Sequence, residues 1–156
     1  MSSWHTPERK TEQAFKVYLE TLLADDIKGV QVVTRFSNVA LSERRIEIVA
    51  DRAIPTEQDA EYYTGNWSVS LTLKVITHYE SGVDAVTHDD LMGKILDVLM
   101  VSENGQDGLV AQLNQTQDDT DFTAQQIDIG QRTNSIDGHS LVTVQELTVM
   151  MAPSQL

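Results

Sequence analysis

From Trp67 to Val75 the chain alternates in character. Trp67, Val69, Leu71, Leu73 and Val75 are apolar, and Ser68, Ser70, Thr72, Lys74 and, further on, His78 are polar. Side chains on a strand point to opposite faces in turn, so Trp67–Tyr79 predicts a long strand with one dry side and one wet side. A second long strand is predicted over His139–Met151. There Leu141, Leu147, Val149 and Met151 lie on one face and Val142, Val144 and Met150 on the other. Apolar residues on both faces imply cover on both sides, by helices on one and a neighbouring subunit on the other. Val30–Phe36 and Arg44–Ala50 read as shorter strands joined by a wide connection. Phe122–Gly130 reads as a further strand, whose apolar phase shifts between Phe122/Ala124 and Ile127/Ile129. A bulge near Gln125–Gln126 accounts for that shift.

Helical spacing occurs in two places. Phe15, Tyr18, Leu19, Leu22 and Leu23 form one stripe, begun by Thr6 as N-cap and Pro7 at the first helical position. Leu91, Ile95, Val98 and Leu99 form the second, with Thr87 as its expected cap and Asp89 and Asp90 in the first turn, where the helix dipole favours anions. Gly93 lies inside this second helix and is expected to mark a close packing contact. The segments 51–66 and 106–121 are polar; the first reads as a loop or hairpin tip, the second as a loop holding one or two helical turns. The order is therefore α-β-β-β-α-β-β. The fold class is α+β: a mostly antiparallel five-stranded sheet with two helices packed on one face, in a single domain spanning residues 1–156.

Charge narrows the function. The chain carries 24 acidic and 11 basic residues, a net charge of −13. Such a surface repels phosphate backbones, which argues against a nucleic-acid reader and suits either solubility or a surface that DNA must pass without being gripped. The chain has no cysteine, which removes disulfides, thiol catalysis and thiolate metal sites together. The opening MSSWHTPERK has no signal-peptide core, and no run reaches the ~18 apolar residues of a membrane span, so a soluble protein made in the cytoplasm is expected.

Candidate chemistry is sparse. His78, His88, Asp89 and Asp90 could converge, but capping and dipole effects explain an HDD run at a helix start, and the spacing fits no metal-ligand pattern. Asp118, Asp119 and Asp121 lack the glycine and terminal glutamate of a calcium loop. GQDG at 105–108 is not followed by the lysine of a phosphate loop, and no serine stands in a nucleophile-elbow context. No catalytic residue, cofactor or metal is expected, and the chain is read as a non-enzyme. Tyr62 and Tyr63, in the polar 51–66 segment, suit hairpin packing or partner anchoring. Arg44 and Arg45 suit a charge-protected strand edge or an ion-paired subunit contact.

Taken as a whole, the arrangement resembles the tail terminator (tail-completion) proteins of long-tailed bacteriophages. The likeness is carried by the helix Pro7–Leu23, the strand WSVSLTLKVITHY, the following SGVDAVTHDDLMGKILDVL and the closing pair FTAQQIDIG and HSLVTVQELTVMM. Val86, Leu91, Ile95 and Leu99 match the spacing of the family's helix after its central strand. The longer 51–66 segment and the polar 102–121 insert depart from the pattern.

The resemblance implies a virion protein of the tail or neck that forms a homo-oligomeric ring of six. It would touch the tail tube protein on one face and the head–tail connector or stopper protein on the other. DNA would pass through without specific binding, and no membrane is involved. Under that reading Arg44, Arg45, Tyr62 and Tyr63 are interface candidates. Asp51, Glu57, Asp59, Glu61, Asp118, Asp119 and Asp121 are candidates to line an acidic channel. The alternatives are another neck component, an adaptor or stopper, or a small cytoplasmic peptide-binding module that adds a strand to its sheet edge.

Overall fold

The computed structural model describes residues 6–24, 29–55, 66–100, 108–116 and 123–152. Helix α1 (Pro7–Leu22) is followed by strands β1 (Gln31–Thr34), β2 (Arg45–Pro55) and β3 (Trp67–His78). Helices α2 (Gly82–Leu99) and α3 (Gly108–Thr116) come next, and then strands β4 (Thr123–Asp137) and β5 (Ser140–Ala152). The class is α+β. The five strands form one sheet in the order β1-β2-β3-β5-β4.

The alternation at Trp67–Val75 decides what the sheet buries. Val69, Leu71, Leu73 and Val75 join Phe15, Leu19, Leu91, Ile95 and Leu99 in one core, with Leu22 and Trp67 packed against it. Leu71 sits at its centre, beside Ala50 on β2 and Leu147 on β5. Tyr18 is also fully buried, and its hydroxyl donates to the Val98 carbonyl at 2.5 Å. This satisfies one of the carbonyls that the last turn of α2 leaves unpaired. Burial pushes the Tyr18 phenol up to about 12.

The fold departs from expectation at four points. The sheet is mostly antiparallel, as expected, at three of its four junctions, but it is mixed, because β1 runs parallel to β2 (Gln31 beside Arg45, Thr34 beside Ile48). There are three helices rather than two: Leu109 and Leu113 of α3 are buried in the core, so the one or two helical turns expected in the polar insert form a packed helix of nine residues. Helix α2 starts five residues before Thr87, with Ser81 as N-cap and Asp84 completing a capping box. Gly93 has nothing within 4 Å of where a Cβ would stand, so it marks no close contact.

Parallel neighbours need a return path. Segment 35–44 supplies it without a helix, held by the Gln31 amide, which donates to the Ala40 carbonyl at 2.9 Å and accepts from the Ser42 N–H at 2.8 Å. The segment crosses the wet face, where Leu41 shares a pocket with Val33, Glu47 and Val49.

β4 continues past Gly130 to Asp137 and turns at Gly138, whose φ of +62° suits glycine. The predicted bulge lies between Ala124 and Gln126, and a second lies between Ile129 and Arg132. At the second bulge a Cβ on Gly130 would stand 3.1 Å from the Glu146 carbonyl oxygen. The buried Gln145 amide donates to the Gly130 and Glu146 carbonyls at 2.9 and 3.0 Å, holding the irregular backbone.

Candidate functional site

Strand edges expose unpaired backbone groups, and side chains seal several of those here. β1 ends opposite Ile48, so the next outward N–H of β2, that of Ala50, has no strand beside it. The carboxylate of Glu12, on α1, accepts it at 2.8 Å and pairs with Arg35 Nε at 2.8 Å. Glu12 is completely buried, and its other oxygen has no hydrogen-bond partner among the described residues. Burial therefore raises its carboxyl above the usual 4.5, against the lowering pull of the Ala50 N–H and Arg35. On β1, Thr34 N–H donates to the Ser37 hydroxyl at 2.9 Å and the Thr34 carbonyl accepts from Ser37 N–H at 3.0 Å. On β4, the Asn114 side chain of α3 exchanges both hydrogen bonds with the Ala124 backbone, at 2.8 and 3.0 Å. Among the described residues the outer side of the distal stretch 130–137 of β4 has no such cover, and every residue in it is exposed.

Beside that stretch lies a cleft of about 420 Å³ between α2 and β4. Its walls include Ala85, Asp89 and Met92 from the helix, Arg132 and Asn134 from β4, and Leu141 from β5. Its floor is a chain of hydrogen bonds. The His88 ring meets the Thr77 hydroxyl through Nδ1 and the Thr143 hydroxyl through Nε2, both at 2.8 Å. Thr143 donates to Asn134 Oδ1 at 2.8 Å, so its oxygen must accept from His88 Nε2–H. Nδ1 then accepts from Thr77. The ring is the neutral Nε2–H tautomer with both nitrogens used. Burial lowers its pKa below 6.5, with Asp89 opposing and Arg44 reinforcing the shift.

His78 belongs elsewhere. It contacts Glu80 at 2.9 Å, and that hydrogen bond leads the causes raising its pKa. Among the described residues, no three His, Cys, Asp or Glu side chains gather as a metal site would require.

The wet face is the second surface of interest. A depression of about 370 Å³ brings together Asp51, Ser70, Thr72, Glu146 and Thr148. Asp51 sits at a bulge in β2 and accepts from the Thr72 hydroxyl at 2.9 Å. Asp128 stands beside Thr148 in register. Glu146 and Asp128 were not singled out from sequence, because Glu146 shares its face of the strand with the apolar Val142, Val144 and Met150. Of the interface candidates, Arg45 is held within the subunit by Glu47 at 2.5 Å and the Ser42 carbonyl at 2.7 Å. Arg44 is half-buried, with its Nε unpartnered among the described residues. Tyr62, Tyr63, Glu57, Asp59, Glu61, Asp118, Asp119 and Asp121 lie outside the described residues.

The third surface is the turn after β1. Phe36 is 47% exposed, with the guanidinium groups of Arg9 and Arg35 each 5.1 Å from its ring centre. Val39 and Leu41 beside it are more exposed still. The strand expected over Val30–Phe36 included Phe36. It falls outside the strand because β1 ends two residues earlier.

No protein-family model matches this chain, and no curated protein is similar enough to it to match. No helix among the described residues is long and apolar enough to cross a membrane.

Proposed function

We propose that the chain is a structural subunit of a tailed bacteriophage neck. In this reading it is a terminator that closes into a ring, of six copies by the resemblance, caps the tail tube and joins it to the head connector. The observation that carries the reading is the one-sided sheet. Helices cover one face, and the other presents hydroxyls and carboxylates, including Asp51, Asp128, Glu146, Thr72 and Thr148. Carboxylates facing DNA form no ion pairs with phosphates, so a genome can slide past them. The acidic excess of the whole chain supports the same role.

Each contact in a closed ring joins two different patches, one from each neighbour. The two sheet edges suit that requirement, because they are unlike: β1 is short and capped at Thr34, and β4 is long, with its distal part uncovered among the described residues. The reading includes no catalytic step, cofactor or metal.

Capping can be tested directly. Purified chain added to polymerising tail tube protein should stop growth, so that mean tube length falls as the ratio of chain to tube subunits rises. Tube lengths that do not respond to the chain, measured by electron microscopy, would remove the terminator role.

A further inference from the structure

Helix α2 is attached to the sheet unevenly. Its buried residues are His88, Leu91, Met92, Ile95 and Leu99, and none precedes His88. Upstream, no residue from His78 to Thr87 is buried, and Val83 and Val86 are 74% and 62% exposed. The hydrogen bonds of that stretch turn inward on itself. The Asp84 carboxylate accepts from the Glu80 and Ser81 N–H groups, and the Thr87 hydroxyl donates to the Val83 carbonyl. The first six helical residues, GVDAVT, include a glycine, an aspartate and three β-branched side chains, all weak helix formers. Turns of that composition need packing to persist. Their first buried tie to the sheet is the His88 ring, which reaches Thr77 on β3, Thr143 on β5 and, through Thr143, Asn134 on β4.

That network works in one protonation state. The neutral ring accepts from Thr77 through Nδ1 and donates to Thr143 through Nε2. A second proton, on Nδ1, would set a donor against the Thr77 hydroxyl proton and place a charge in a buried site. Around the ring stand Asp89 on α2 itself, Arg44 from the segment before β2 and Arg132 of β4 in the same cleft, while β3 and β5 contribute the two hydroxyls. Burial and Arg44 disfavour the cation, and Asp89 favours it. The ring is 8% exposed at the cleft floor, so a proton from solvent can reach it.

We infer that His88 is a proton-operated latch: neutral, it holds the first two turns of α2, residues 82–88, against the sheet, and charged, it releases them and opens the α2–β4 cleft. Leu91, Met92, Ile95 and Leu99 keep the rest of the helix in the core, so the opening is local. Ala85, in the cleft wall, leaves with the released turns. The latch does not depend on the ring.

Hydrogen exchange read by mass spectrometry on the intact chain, corrected for the pH dependence of the chemical rate, tests the latch. Between about pH 7.5 and about pH 4.5, protection of the amides of residues 86–91 should fall at least about tenfold while that of β3 stays unchanged. The midpoint should coincide with the NMR titration of the His88 ring. His88→Gln, which takes up no proton, should remove the pH dependence. Thr77→Val removes the hydroxyl that donates to the neutral ring, so the midpoint should move to higher pH; a merely structural Thr77 would leave it in place. Protection at 86–91 that stays constant over this range, or falls equally in His88→Gln, would overturn the latch. So would a fall shared by β3, which is global unfolding. If His88→Gln does not fold, an unmoved midpoint in Thr77→Val overturns the latch by itself.

Discussion

Glu12, His88 and Gly93 show how single residues carry information that the fold class does not. Glu12 serves as a substitute for a missing strand at Ala50, and it does so as a buried acid. Its folded-state pKa lies above 4.5, so the folded chain holds the proton longer than the unfolded one. The stability this group contributes is whole below 4.5 and is lost as pH rises through the raised value. Urea unfolding of the wild type and Glu12→Gln should therefore show the difference shifting against the wild type as pH rises from 4.5 toward neutrality. A difference independent of pH would mean that the carboxyl is not perturbed.

His88 has the opposite dependence. Its folded-state pKa lies below 6.5, so its contribution is whole above 6.5 and is lost as pH falls through that value toward the lower one. Proton NMR titration should find two histidines moved in opposite directions, His88 down and His78 up. Thr143→Val removes the acceptor of His88 Nε2–H and should destabilise by about 1–3 kcal/mol. Gly93 is exposed, in helix α2, with open space where a Cβ would go. Gly93→Ala should raise stability by about 0.4–1 kcal/mol in a denaturant melt. A loss there would mean that the helix is packed on that side after all.

At the scale of elements, strand β3 ties the molecule together. Leu71 is buried between two strands and under the helix layer. Leu71→Ala should cost about 2–5 kcal/mol as a core cavity. A loss below about 0.5 kcal/mol would mean that the face is misassigned. This element was legible because an alternating pattern nine residues long allows only one facing. Helix α1 was legible for a similar reason, through Thr6, Pro7 and a clean stripe. The parallel β1–β2 pair was not, because a return segment such as 35–44 carries no crossover helix to announce it. Helix α2 was entered too late because Gly82 at its start reads as a turn, while the reciprocal bonds of Ser81 and Asp84 become visible only in three dimensions. Helix α3 hides in a polar insert, since only Leu109 and Leu113 need to be apolar for nine residues to dock. The cleft was hardly legible at all. Thr77, His88, Thr143 and Asn134 come from four separate elements, and no spacing links them in sequence.

For the whole molecule, the account makes a claim about assembly. The proposed ring draws on a sheet with helices on one face and, on the other, carboxylates such as Asp51, Asp128 and Glu146. The channel reading rests on where those three stand. A channel needs more than one copy, so the mass of the assembly decides between this account and its rivals. The measurement is native mass spectrometry of the chain alone and with tail tube protein. The account expects a closed ring, six copies by the resemblance, to form or be stabilised when the tube is present. A chain that stays strictly monomeric with the tube present would contradict the account and favour a small module that works one copy at a time.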